Sequence, residues 1–167
     1  MIVKNLTKNF YINLFIIFSI FIIDRISKIF VINFNIENSS TELYVSKFLN
    51  INLIWNEGIA FGLLSFNEKI YYNALTILII FVTLIIFWMI LKSQRLERFA
   101  FMMIFGGSLG NIFDRLLYSA VPDFIDFHIK SFHWFIFNVA DIFITLGIII
   151  MIMTEFFNKK QTSNEKY

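Results

Sequence analysis

The run "IYYNALTILIIFVTLIIFWMIL", Ile70 to Leu91, carries no charged side chain and decides the fold class. It exceeds the roughly 20 helical residues that cross a hydrocarbon core about 30 Å thick. Three more segments reach that length: about Phe10 to Phe30, Phe99 to Leu117 and Trp134 to Phe157. The rest of the 167-residue chain agrees, being 58% hydrophobic and 16% charged with 23 phenylalanines and a mean hydropathy of +0.73. That is more apolar surface than one small soluble core buries, so the solvent is a bilayer. One proline, six glycines, no repeat and no low-complexity tract mark a single domain over 1–167. Without cysteine there is no disulfide, no thiolate metal site and no cysteine nucleophile.

Orientation follows from the basic residues beside the spans. Lys4 and Lys8 precede the first, Lys92, Arg95 and Arg98 fill the short connection between the second and third, and Lys159, Lys160 and Lys166 follow the fourth. These regions are expected in the cytoplasm together with both termini, and the connections Val31 to Lys69 and Tyr118 to His133 on the outer side. The first apolar run resembles a secretory signal, yet no small-residue cleavage site follows it, and it reads as a retained span. In "FLNINLIWN", Leu49, Ile51, Leu53 and Trp55 alternate with Asn50, Asn52, Ile54 and Asn56, which predicts an amphipathic strand, with "ELYVSKF" as a second strand before it. The fold class is therefore an all-α membrane protein with a small β element: four transmembrane helices and an outer-face sheet between helices 1 and 2.

Three of the four spans are interrupted by polar residues. Asp24 and Lys28 are spaced i, i+4, Asn111, Asp114 and Arg115 i, i+3, i+4, and Asn138 and Asp141 i, i+3, so each set shares one helix face. On the expected topology all three faces lie toward the outer leaflet and can meet in one pocket. The small residues of "GGSLG", Gly106 to Gly110, allow close helix approach. Asp24 with Lys28 also reads as a structural ion pair, and Asp114 and Arg115 as supports at a helix exit. Asp141 is the residue least explained by structure, because a carboxylate more than a turn into an apolar helix costs roughly 2.5–3.5 kcal/mol on insertion scales. Asp123 and Asp126 fall in an outer loop. His128 and His133 lack the spacing of a helical zinc motif and read as interfacial residues.

These blocks carry a resemblance. "DRISK" at Asp24 to Lys28, "NEGIAFG" at Asn56 to Gly62, "GGSLGNIFDR" at Gly106 to Arg115, "VPDFIDF" at Val121 to Phe127 and "FNVAD" at Phe137 to Asp141 occur in the order, and on the four-span topology, of the lipoprotein signal peptidase family, signal peptidase II, which the chain resembles over most of its length. The resemblance implies a bacterial inner-membrane aspartic endopeptidase with its active site toward the outer face. Such an enzyme removes the signal peptide from diacylglyceryl-modified prolipoproteins just before the lipidated cysteine. It implies that Asp123 and Asp141 are catalytic, with Asp24, Lys28, Asn56, Asn111, Asp114, Arg115, Asn138 and Ala140 binding substrate or supporting the pair. No metal, cofactor or nucleic acid is expected; the expected partners are the prolipoprotein and membrane lipid, and the chain is expected to be a monomer. Two departures from the family pattern are Ser119, where glycine is common, and Pro122 before the first aspartate.

Two carboxylates around one water in a poorly hydrated site share a proton, so one acts as base toward water while the other donates to the scissile carbonyl. An intramembrane proton or ion relay is the rival reading, because buried carboxylates also mark such pathways. It requires polar residues to continue inward, and "IIFWMI" and "GIIIMIM" offer none. A Ser27/Lys28 hydrolase fails because adjacent helical residues point about 100° apart.

Overall fold

The computed structural model describes residues 2–38, 42–58, 69–129 and 132–164. In chain order the elements are α1 (Ile2–Asn38), β1 (Glu42–Ser46), β2 (Leu49–Asn56), α2 (Lys69–Lys92), α3 (Arg95–Tyr118), β3 (Val121–Ile129), β4 (Phe132–Phe137) and α4 (Val139–Asn164). Residues 59–62, the second half of "NEGIAFG", lie outside the described residues.

Among the described residues two helical segments are long and apolar enough to cross a membrane, Ile70–Lys92 and Val139–Phe157. Their outward faces are what a bilayer would cover: Ile70, Ile77, Leu78 and Phe81 on α2, and Ile149, Ile152 and Phe156 on α4, are all exposed. α1 and α3 have the length but carry charge, and they turn those charges inward, as Asp24, Lys28 and Asp114 are fully buried. α3 is the hub, packing against each of the other three helices. Glycine makes that possible. A Cβ on Gly107 would stand 2.6 Å from the Ala140 carbonyl of α4, and one on Gly110 would collide with the Asp24 carboxylate of α1. One apolar cluster, Ile90, Phe101, Met102 and Ile104, joins α2 to α3 and draws in Ile16 and Ile17 of α1 and Ile144 of α4.

The sheet is larger than the sequence predicts. Four antiparallel strands run in the order β1-β2-β3-β4, so half of it comes from the connection between α3 and α4 rather than from the one between α1 and α2. Asp123 and Asp126 therefore lie on a strand, not in a loop. Strand β3 escapes a period-2 reading because six of its first eight residues, Val121 to Phe124, Asp126 and His128, are buried. Phe124 packs with Leu53 of β2 against Val31 of α1, which seats the sheet on the C-terminal part of that helix.

A second correction concerns the fourth span, expected from Trp134. Residues 134–137 are the end of β4 and the helix starts at Val139. The stretch "FHWFIF" is composed of aromatic, imidazole and β-branched residues that favour a strand, and it pairs with β3 from His128↔His133 to Ile125↔Phe137. Asp141 is thus in the first turn of its helix, not more than a turn into it.

Candidate active site between the sheet and three helices

The helix start fixes Asp141. Asn138 precedes α4 as its cap, its side-chain oxygen accepting the Asp141 N–H at 3.1 Å, while the Asn138 N–H donates back to Asp141 Oδ2 at 3.1 Å. This reciprocal pair is a capping box, which satisfies two of the amides that a helix N-terminus leaves open. A carboxylate there is favoured by the helix dipole, so the position is far less costly than one in mid-span. The other Asp141 oxygen accepts the Asn111 side-chain amide of α3 at 2.9 Å.

Asn138 also reaches across to the sheet. Its Nδ2 donates to Asp123 Oδ1 at 2.6 Å, and Asn56 Nδ2 of β2 donates to Asp123 Oδ2 at 2.9 Å. Asn138 is fully buried and Asp123 is 4% exposed. Burial, and then the negative charge of Asp141, pushes the Asp123 carboxyl from 3.8 up to about 6, against the two amide hydrogen bonds and the Lys28 charge.

Beneath the two carboxylates lies a buried ion cluster of two anions and two cations. Asp24 pairs with Lys28 at 3.0 Å along α1 and accepts the Ala140 N–H of α4 at 3.0 Å. Lys28 donates to Asp114 at 2.7 Å and to Asn111 Oδ1 at 2.8 Å. Arg25 clasps Asp114 with both terminal nitrogens, reaches Asp24 at 3.0 Å, and lies over the Phe113 ring at 5.1 Å. Charges this dry persist only when each has a partner. Here they pin α1, α3 and the first turn of α4 to one another, and Lys28 orients Asn111 so that its amide group faces Asp141.

Above the cluster is a cavity of about 200 Å³ lined by Asn56, Ser108, Asn111, Arg115, Val121, Asp123, Asn138 and Asp141, with Ile79 and Ile144 as its apolar wall. Arg115 donates to the Gly58 carbonyl and lies over the Tyr72 ring at 5.3 Å, tying the start of the 57–58 turn to α3. Its Nη1 is buried without a hydrogen-bond partner among the described residues.

The residues expected to meet do so. Asp123, Asp141, Asn56, Asn111, Arg115 and Asn138 line one cavity, and Asp24, Lys28, Asp114 and the Ala140 backbone form the ion cluster that Lys28 links to it through Asn111. Sequence reasoning missed Arg25, which sits one residue off the Asp24/Lys28 face and still reaches Asp114; its pairing needs α3 in view. It also missed Ser108 on the cavity wall and the clustering of Asp126, His128 and His133. Ser119 ends α3 in the left-handed region at φ 57°, with its N–H bonded to the Arg115 carbonyl at 3.2 Å, which accounts for a preference for glycine at that position.

The family model for signal peptidase (SPase) II matches residues 16–157. The chain is 51% identical over 160 residues to a lipoprotein signal peptidase of Pelagibacter ubique, covering 95% of this chain and 96% of that one. It is 35% identical to one of Francisella tularensis subsp. mediasiatica over 127 residues, 72% of this chain and 77% of that one. Its fold is similar to that of a bacterial membrane enzyme solved by the in meso method at 2.3 Å resolution, with a TM-score of 0.68, 29% sequence identity, and coverage of 91% of this chain and 90% of that one. With a match that spans both carboxylates and every helix, the chain belongs to the signal peptidase II family.

Proposed function

We propose that this membrane-bound protease is an aspartic endopeptidase that cleaves the signal peptide from diacylglyceryl-modified prolipoproteins, with Asp123 and Asp141 as its catalytic pair. The observation that carries the reading is the convergence of two carboxylates, one from β3 and one from the capped start of α4, on Asn138 in a single cavity.

The proton assignment follows from the surroundings. Asp123, whose proton is held up to about pH 6, is the acid; each of its oxygens can accept an amide hydrogen bond and still bear or share that proton. Asp141 is the base. It takes a proton from a water held between the two carboxyls as that water attacks the scissile carbonyl carbon. Asp123 simultaneously gives its proton to the carbonyl oxygen, leaving a neutral tetrahedral diol. Collapse of the diol returns a hydroxyl proton to Asp123, while Asp141 delivers its proton to the departing amine nitrogen. Both carboxyls then stand as they began. Arg115, whose Nη1 has no hydrogen-bond partner among the described residues, and Asn111 both line the cavity and would hold the extended peptide or the lipid head group.

On this reading the four long helices all span the bacterial inner membrane, both termini are cytoplasmic, the sheet lies at the outer face, and the chain of 1–167 works as a single-domain monomer. The relay reading is not favoured, because the lower parts of α2 and α4 remain apolar below the ion cluster and the relatives are peptidases. The deciding experiment is cleavage of a lipidated prolipoprotein by the purified chain in detergent. Turnover that disappears in Asp123→Asn and in Asp141→Asn, at equal folded yield, supports the pair. Full turnover by either variant removes that residue from the mechanism.

A further inference from the structure

We propose that Asp126, His128 and His133 form a binding site for one divalent transition-metal ion, matched by its donor set to Zn²⁺, at the far end of the β3–β4 hairpin from the active site. The three side chains each offer a ligand atom, and those atoms lie within 4.8 Å of one another. His128 and His133 come from directly facing positions, pairing in the register, and their rings stack at 5.1 Å and 24°, while Asp126 lies two residues before His128 on β3. His133 Nδ1 stands 2.9 Å from both oxygens of Asp126.

Two imidazoles and one carboxylate are the three-ligand set that holds zinc while leaving a fourth position for water. Zn–N and Zn–O bonds of about 2.0–2.2 Å separate tetrahedral ligand atoms by roughly 3.3 Å, so the 2.9 Å contact of Asp126 with His133 opens slightly while the wider separations, up to 4.8 Å, close. The His133 side chain, 53% exposed, is the member with room to make this adjustment.

An independent observation points to a ligand. His128 is only 8% exposed, and its Nδ1 is buried with no hydrogen-bond partner among the described residues. Buried polar atoms left without a partner are uncommon in native folds. Asp126, 2% exposed, is likewise a buried carboxylate facing the same two rings. An Asp126–His133 ion pair alone would explain neither the buried second imidazole nor its orphaned nitrogen. A metal ion accounts for all three side chains together. Its consequence is mechanical: Asp126 shares a strand with Asp123, and His133 a strand that leads into Asn138, so the ion would clamp the hairpin that carries Asp123 and runs into the cap that holds Asp141.

The test uses the full chain in detergent, with any affinity tag removed and metal stripped by chelator. Zn²⁺ is titrated in competition with a chromophoric chelator, and thermal unfolding is followed with and without the ion. The expected result is one ion per chain, a raised unfolding midpoint, and at least tenfold weaker binding in His133→Ala. Because His133→Ala also removes the imidazole partner of the buried Asp126, each variant is compared with itself with and without the ion, the metal-induced rise in midpoint being the readout; Asp126→Asn provides a second, near-isosteric loss of a ligand. Substitution by Co²⁺ should give visible d–d bands in the wild type that vanish in both variants. Uptake well below one ion per chain, or uptake that neither variant weakens, would overturn the site. Prolipoprotein cleavage is a separate readout, so failure of the metal site leaves the peptidase reading intact, and the reverse holds too.

Discussion

Asn138 and Asp141 cap each other: each backbone N–H donates to the other's side chain at 3.1 Å, and the free amide of Asn138 then goes to Asp123 at 2.6 Å. One asparagine therefore starts a helix and spaces two carboxylates. These duties can be separated. Serine is as good an N-cap as asparagine but is too short to reach β3. Asn138→Ser should keep the cap, and so unfold above Asn138→Ala, while losing activity by roughly two orders of magnitude, the scale on which positioning matters in catalysis. Asn138→Ala should lose the activity and also about 1 kcal/mol of cap stability. Cleavage rates and melting curves of the two variants check this, and an active Asn138→Ser would end the spacing role.

On the proposed mechanism the alkaline limb of the pH profile should belong to Asp123, whose proton leaves at about 6. The Asn56 amide bond stabilises the ionised form and so lowers that value. Removing it with Asn56→Ala should move the alkaline limb of kcat/KM to higher pH, together with a fall in the maximum. A limb that stays in place, or moves down, would assign it to another group.

The same group sets a stability window. The folded Asp123 carboxyl titrates at about 6 and its ordinary value is 3.8, so between these values the folded chain holds a proton that the unfolded chain has lost. Stability is then greatest below about pH 4 and declines as pH rises toward 6, with no further change from this group above that. Asp123→Asn removes the buried charge, and its unfolding midpoint should exceed that of the wild type at pH 8 by more than at pH 4.5. A constant difference would mean that burial does not penalise the charge.

How much of this was legible depends on whether a contact lies within one element. Asp24 and Lys28 could be paired from their i, i+4 spacing, and they stand 3.0 Å apart. β2 could be read because Leu49 to Asn56 alternates. Gly107 and Gly110 announced close packing, and they face Ala140 and Asp24. β3 could not be read, because neighbouring residues are buried on both faces and Pro122 suggests a loop. Arg25 could not be placed because its partner Asp114 lies in another helix. Asp141 was singled out for the wrong physical reason: the strand character of "FHWFIF" moves the helix start to Val139 and makes the position a cap.

Ser119 holds a left-handed conformation at φ 57°, which costs a residue with a Cβ about 1–2 kcal/mol. Ser119→Gly should relieve much of this strain. The increase in stability should be about 0.5–1 kcal/mol after the glycine's greater freedom in the unfolded chain is counted. Chemical or thermal unfolding in detergent measures it, and a destabilised variant would point to an unrecognised role for the Ser119 hydroxyl.

The placement of the cavity at the junction of sheet and helices predicts what the substrate must carry. A signal peptide's apolar segment and a diacylglyceryl group both partition into the bilayer, each buried CH₂ contributing about 0.8 kcal/mol. The proposed catalytic pair at that junction would meet the scissile bond without extracting either from lipid. Beside it, Ile23, Ile26, Phe30 and Val31 of α1 line an apolar recess with Ile51 and Phe124 of the sheet, and Ile26 and Phe30 are exposed at its edge. On the proposed function this recess would give the acyl chains an apolar surface to follow toward the head-group level. A prolipoprotein lacking its diacylglyceryl group should therefore be cleaved at least tenfold more slowly than the matched lipidated substrate, the difference residing mainly in KM because the lipid touches no reacting atom. Initial rates for both substrates at equal detergent concentration decide the matter. Equal kcat/KM values would mean that the enzyme reads peptide alone, and the recess beside α1 would then have no part in recognition.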